Sequence, residues 1–306
     1  MGVVENPRRD EAGDTQRGVI HLVTAAVLFS GLSVLAKLVG ARIPLPEVIL
    51  VRSLVTVAFA RGTLARGDIP VWGTRRTMLA LRGLFGFAAL VCYFYGLMHL
   101  PIADAIVIHY IHPVFTLLLA ALVLGEALDR RETVFIFGCF AGVVLVTQPP
   151  LLFGAAAADS DPFALAVALL GALIAAGVYV MIRELRSTEH PARVVFYNAL
   201  VAALLSAPWA WSTWVPPDAF EWTMLLTIGV CTFLHQQSMT LGLHQVRAGR
   251  ATALGYMQVL LAMLAGIWLF AEDVNLVAWI GATVLAISAA LLATNRKSGA
   301  TAAPRS

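Results

Sequence analysis

The residues with the greatest capacity for chemistry stand together at 109–113, His-Tyr-Ile-His-Pro, inside a long apolar run. His109 and His112 are three residues apart and share a helix face, with Tyr110 about 100° round from His109. Two imidazoles and a phenol both donate and accept hydrogen bonds, and an imidazole exchanges a proton near neutral pH. Pro113 has no amide hydrogen to give the carbonyl of residue 109, so a free acceptor is expected beside them. In an apolar surrounding such groups are costly unless they face the protein interior or a wet cavity. They suit recognition of a polar ligand; interhelical hydrogen bonding that only ties a bundle together is the competing structural reading.

Other polar residues fall at similar depth in their runs. Tyr93 and Tyr95 form one group, and His235, Gln236, Gln237 and Ser238 another. Four consecutive residues cannot all face one way, so at least one of the second group meets a neighbouring helix. Arg52 and Arg82 lie about 8–9 Å inside their runs at 1.5 Å per residue. They either snorkel to the surface or attract a carboxylate or phosphate. Lys37 and Arg183 sit at run ends, where snorkelling is expected. Glu126 and Glu272 suit structural helix ends. Asp104 opens a run, where its charge complements the helix dipole, with proton binding as the alternative. A metal site from His109, His112 and His235 is not expected, because no carboxylate or thiol stands beside them. No HExxH, GxSxG, GxxxxGK[ST] or aspartate-rich pair occurs, so neither an enzyme nor ATP hydrolysis is expected, and no cofactor.

The surroundings of these residues define the class of protein. Of 306 residues, 59% are hydrophobic and only 13% charged, against roughly 25% charged in soluble domains. The charges cluster between apolar runs of about 20 residues, the length a helix needs to cross hydrocarbon. Ten spans can be drawn, near 18–40, 46–65, 77–98, 102–124, 132–148, 162–184, 191–211, 219–243, 250–271 and 275–294. Residues 1–17 and 295–306 read as polar tails, and 149–161 as a linker between a first five-helix unit, 18–148, and a second, 162–294. Cys92, Cys139 and Cys231 fall inside apolar runs, against a disulfide framework. Trp209, Trp211, Trp214 and Trp222 bracket span ends as an interfacial belt.

The second unit repeats the first at a constant offset of 146 residues. Gly31 falls on Gly177, Lys37 on Arg183, Arg52 on Asn198, Gly96 on Gly242, Tyr110 on Tyr256 and Glu126 on Glu272. The stretch Gly255, Tyr256, Met257, Gln258 is the counterpart of 109–112, polar again at two matching positions. Five crossings per unit turn the second unit upside down in the bilayer. Inverted repeats of this kind build secondary transporters, with the substrate at the interface of the halves. The loop charges agree. Sixteen Lys/Arg residues fall on one side, from Arg8, Arg9 and Arg17 through Arg61, Arg66, Arg75 and Arg76 to the C-terminal tail, while the other side carries only Arg42. Positive loops stay in the cytoplasm, which puts both termini there.

The chain resembles the ten-helix members of the drug/metabolite transporter superfamily, with two EamA-type repeats. The resemblance rests on VRS around Arg52, LRGLFGFAALVCYFYGLMHLP through Pro101, ADAIVIHYIHPVFTLLLAALVLGE ending at Glu126, and GVVLVTQP ending at Pro149. It implies a cavity between the halves that opens alternately to each side. The family pattern has small, apolar or aromatic residues at His109 and His112. That departure favours a polar, anionic or zwitterionic substrate, such as a carboxylate-rich opine-type metallophore.

The expectation is thus an all-α membrane protein of the inner membrane, ten transmembrane helices in two inverted repeats. It exports a small polar metabolite, and proton coupling, if any, falls to His112 or Asp104. The substrate-binding set is His109, Tyr110, His112, Tyr93, Arg52, His235, Gln236, Tyr256 and Gln258. The lipid bilayer is a partner, nucleic acid is not, and a homodimer is left open. The alternatives are an uptake carrier for S-adenosylmethionine, riboflavin or a similar metabolite, and an assembly component that transports nothing.

Overall fold

The computed structural model describes residues 7–39, 42–153, 161–270 and 274–294. Glu272, the linker from 154 to 160 and both outermost tails lie outside the described residues, as do the side chains of Arg8, Arg9 and Lys37. The described elements are all helices: α1 (Pro7–Val39), α2 (Leu45–Arg66), α3 (Arg76–His99), α4 (Ile102–His109), α5 (His112–Val123), α6 (Arg130–Thr147), α7 (Pro150–Phe153), α8 (Pro162–Leu185), α9 (Pro191–Ser212), α10 (Ala219–Gln245), α11 (Ala248–Leu254), α12 (Met257–Phe270) and α13 (Leu276–Thr294). Proline stands in the first turn of α2, α5, α8 and α9, a position where its own helix has no carbonyl for the missing amide. Asp129 and Asp161 cap α6 and α8, and Asp218 with Glu221 forms a capping box on α10.

Among the described residues, six stretches are long and apolar enough to cross a membrane: α2, α3, Ala103–Val123 through α4 and α5, α8, α9 and α13. The helices over the other expected spans differ in length or in the charge they carry: α11 and α12 have 7 and 14 residues. α1 and α10 run to 33 and 27 residues, and α6 has Arg130, Arg131 and Glu132 in its first turn. Part of the expected linker is ordered as the single turn α7.

The fourth and ninth expected spans are each broken in two, which corrects their reading as continuous helices. The break after α4 follows from Pro113. Val114 donates to Ile111 rather than to Tyr110, so the carbonyl of Tyr110 leaves the helical ladder. The break after α11 has no proline. Gly255, Tyr256, Gln258 and Val259 all donate three residues back, to Thr252, Ala253, Gly255 and Tyr256, a tight 3₁₀ winding. Gly255 permits it, because a Cβ there would stand 2.9 Å from the Thr252 carbonyl oxygen.

The main contacts join one half to the other: α1 packs on α10, α2 on α9, α3 on α8, and α6 on α13. The offset of 146 maps this set onto itself, turning the α1–α10 pair into α8–α3 and returning α2–α9 and α6–α13 to themselves. Counterpart helices run antiparallel. Glu47 at the start of α2 accepts from the amide of Val215 beyond the end of α9, at 3.1 Å. At the other end of the pair, Arg193 in the first turn of α9 donates to the Pro70 carbonyl. Along α6 and α13, Gly142 and Gly281 let the backbones touch. A Cβ on either would fall 2.9 Å from the other's carbonyl oxygen, the close approach that small residues give helices in lipid. The outward surface is broadly apolar, and the four belt tryptophans are all exposed.

Candidate functional site

The two helix breaks meet at the centre. Tyr256 is fully buried, and its hydroxyl donates to the freed carbonyl of Tyr110 at 2.7 Å. The rings of these two tyrosines lie 5.6 Å apart. Tyr110 directs its own hydroxyl at Gln258. A pair expected to bind substrate thus holds the junction of the halves.

The expected free acceptor at residue 109 is already used. Nδ1 of His112 lies 2.9 Å from the carbonyl of His109. The side chain supplies the donor that Pro113 removed from the backbone, which corrects the prediction of an open carbonyl. A carbonyl only accepts, so Nδ1 carries hydrogen and Nε2 of the neutral ring is an acceptor. The same logic holds for His235, whose Nδ1 meets the Ala25 carbonyl at 2.9 Å. Both imidazoles thereby have fixed tautomers, and protonation of either adds a donor at Nε2 without losing the anchoring bond.

Rings from four helices form a continuous run. Tyr93 on α3 lies 4.5 Å from His109 on α4, His109 lies 5.1 Å from His112 on α5, and Tyr179 on α8 stacks on His112 at 5.1 Å. Beside this run is a cavity of about 80 Å³. His109, His112, Tyr179, His235, Thr252 and Gln258 provide its polar lining, with Phe29 and Met239 among its apolar walls. Both halves contribute to it.

Four of the nine expected binding residues therefore line one cavity: His109, His112, His235 and Gln258. Tyr93 backs His109, and Tyr110 and Tyr256 sit behind at the junction. Arg52 is close enough to His235 to interact with it electrostatically. Gln236 points elsewhere, accepting from Asn198 at 2.8 Å. This matches the requirement that the run 235–238 divide its faces. Asp104 accepts from the amide of Leu151 at 2.9 Å, which ties α4 to α7, and it is not in the cavity lining. Tyr179 and Thr252 were missed. Tyr179 carried a signal, as the one polar side chain between Pro162 and Ile182. Among the described residues no group of three His, Cys, Asp or Glu is arranged to hold a metal ion, and all three cysteines are free.

Both ends of the bundle are tied. At one end Arg183 is buried rather than snorkelling, against expectation. It donates to Glu126 at 3.1 Å and to the carbonyls of Leu243 and His244 at 3.0 and 2.8 Å. Glu126 also accepts from the amide of Ala248 at 3.1 Å, and Arg247 pairs with buried Glu132 at 3.1 Å. At the other end Arg42 pairs with Glu221 and donates to the Pro216 carbonyl. Gln148 and Asn275 exchange amide bonds there at 2.7 and 2.9 Å.

A broken-helix pair around a polar cavity, built by two repeats, is the arrangement of a carrier. Comparison with known proteins agrees. The EamA-like transporter family matches residues 16–148 and again 162–294. The chain belongs to this family and is a membrane transporter, not an enzyme. It is 31% identical to the pseudopaline exporter of Pseudomonas aeruginosa, across 92% of this chain and 97% of that one. It is 32% identical to a probable transport protein of Saccharomyces cerevisiae, across 72% and 69%. The S-adenosylmethionine uptake transporter of Rickettsia prowazekii is 26% identical across 83% and 85%. A solved crystal structure superposes with a TM-score of 0.75, covering 90% of this chain and 96% of its own at 21% identity, which speaks to the fold.

Proposed function

We propose that the chain is a secondary carrier of the inner membrane that exports a small, carboxylate-bearing amino-acid derivative by alternating access. Ten spans in two inverted units, 18–148 and 162–294, with both termini cytoplasmic, are the architecture of that reading. The antiparallel packing of α2 on α9 and of α6 on α13 and the sixteen-to-one split of loop cations support it. The observation that carries the site is the cavity walled by His109, His112, Tyr179, His235 and Gln258 from both halves. Its volume is well below the roughly 300–1,000 Å³ of small-molecule pockets. The molecule therefore has both ends tied around a contracted site, and admitting a substrate requires one end to part. Similarity to an exporter of pseudopaline supports outward movement of an amino-acid-derived compound. Similarity to S-adenosylmethionine uptake carriers supports the opposite direction.

Metabolite profiling of a deletion strain separates the two. Export predicts that a carboxylate-bearing amino-acid derivative accumulates inside the cells and falls in the medium, with both changes reversed by the intact gene. Intracellular depletion with retention in the medium would establish uptake instead.

A further inference from the structure

Arg82 on α3 is only 3% exposed, and among the described residues neither its Nε nor its Nη1 has a hydrogen-bond partner. It lies six residues inside α3, about 9 Å from the helix start, so the side chain has not snorkelled to a surface. A buried guanidinium without an anion is among the least favourable groups a protein can hold, and it persists where function requires it. The titratable side chain beside it is the neutral phenol of Tyr179, the same ring that stacks on His112 and lines the cavity.

The position has a relation to Arg52. Arg52 stands on the flank where α2 meets α10, beside His235. The repeat carries that flank onto the contact of α9 with α3, where Arg52 is replaced by neutral Asn198. On this second flank a Cβ at Gly86, one turn along α3 from Arg82, would stand 2.9 Å from the Asn198 amide oxygen. Each flank therefore carries one guanidinium, supplied by residues that are not counterparts. Among the described residues no carboxylate is paired with Arg52 or with Arg82.

Resting on the carrier reading above, we propose that Arg82 is a second anion-binding residue of the cavity, uncovered as the cavity widens past Tyr179. The substrate then bears two acidic groups, one met by Arg52 beside His235 and the other by Arg82 beside Tyr179. A carboxylate suits both, since a guanidinium grips it with two parallel hydrogen bonds. Lysine in place of Arg82 would keep the charge and lose the fork.

The test uses the full chain in lipid nanodiscs and follows thermal unfolding. The probes are alanopine, which has two carboxylates, and alanine, which has one. Without ligand, Arg82→Met removes a buried unpaired charge, and its midpoint rises by roughly 2 °C or more; an anchoring role for Arg82 predicts a fall instead. With ligand, alanopine stabilises the wild type more than alanine does. That excess disappears in Arg82→Met and is reduced in Arg82→Lys. A lowered or unchanged ligand-free midpoint, or an alanopine excess that survives Arg82→Met, overturns the proposal. If neither probe shifts the wild type, the ligand-free midpoint alone decides. His112→Leu reports separately on the cavity: undiminished stabilisation by both probes in that variant overturns the cavity reading, whatever Arg82→Met does.

Discussion

Tyr256 gives its hydroxyl to the carbonyl of Tyr110 at 2.7 Å, and the two tyrosines are each other's counterparts, 146 residues apart. The bond crosses between the halves at the point where each loses its helical ladder. Tyr110 does not return the same bond; the Tyr256 carbonyl accepts from the Val259 amide within its own tight turn. The phenol of Tyr110 turns to Gln258 at the cavity instead. Equivalent residues have thus taken different work, one holding the junction and the other shaping the site.

Tyr256→Phe tests the junction. It leaves a buried carbonyl without a donor, at a cost of about 1–3 kcal/mol. The unfolding midpoint in detergent falls accordingly, with the helical signal of the folded protein retained. A midpoint equal to wild type would mean that the carbonyl finds another donor and the bond does not tie the halves.

Gly142→Leu tests the seam of α6 and α13. Its Cβ would stand 2.8 Å from the Leu285 amide nitrogen, a backbone atom that cannot swing aside. A loss of about 1–3 kcal/mol or more is expected from overpacking. Gly62→Ala is the control, because nothing lies within 4 Å of a Cβ there. That change leaves stability equal or slightly raised, since alanine suits a helix interior better than glycine. Equal losses at the two positions would contradict the close approach.

Arg183→Gln tests the closure around Glu126. The variant loses the ion pair and weakens the hold on the end of α10. A cysteine introduced as Ala251→Cys, in a chain whose three native cysteines are alanine, reports on access to the cavity. Its labelling by a polar maleimide, applied from the side of the arginine-rich loops, is slow with Arg183 present and several-fold faster in Arg183→Gln. Equal rates would show that this network does not guard the cavity.

Much of this was legible in the sequence, for identifiable reasons. The 146-residue repeat holds without net insertion, so residues that meet across the halves could be paired before any helix was placed; Tyr110 with Tyr256 is such a pair. The histidine stretch stood out because polarity in an apolar run is expensive. The break beside Tyr256 was hidden because it comes from a glycine and a carbonyl contact rather than from proline. The His112 bond to the His109 carbonyl was hidden as well, since a ring can replace a backbone donor only in one rotamer. Arg183 looked like a snorkelling end residue because its partners, Glu126 and the carbonyls of Leu243 and His244, lie 57 or more residues away. Tyr179 was not among the expected residues, although no other polar side chain lies between Pro162 and Ile182.

Flux of the metabolite retained by a deletion strain, measured for His112→Leu at matched membrane abundance, bears most directly on the histidine cavity. Leucine keeps the bulk and removes both ring nitrogens, so a polar substrate loses a hydrogen-bond partner in a buried site. A fall of about tenfold or more is expected, the equivalent of one buried hydrogen bond. Flux within twofold of wild type would contradict the placement of substrate beside His112.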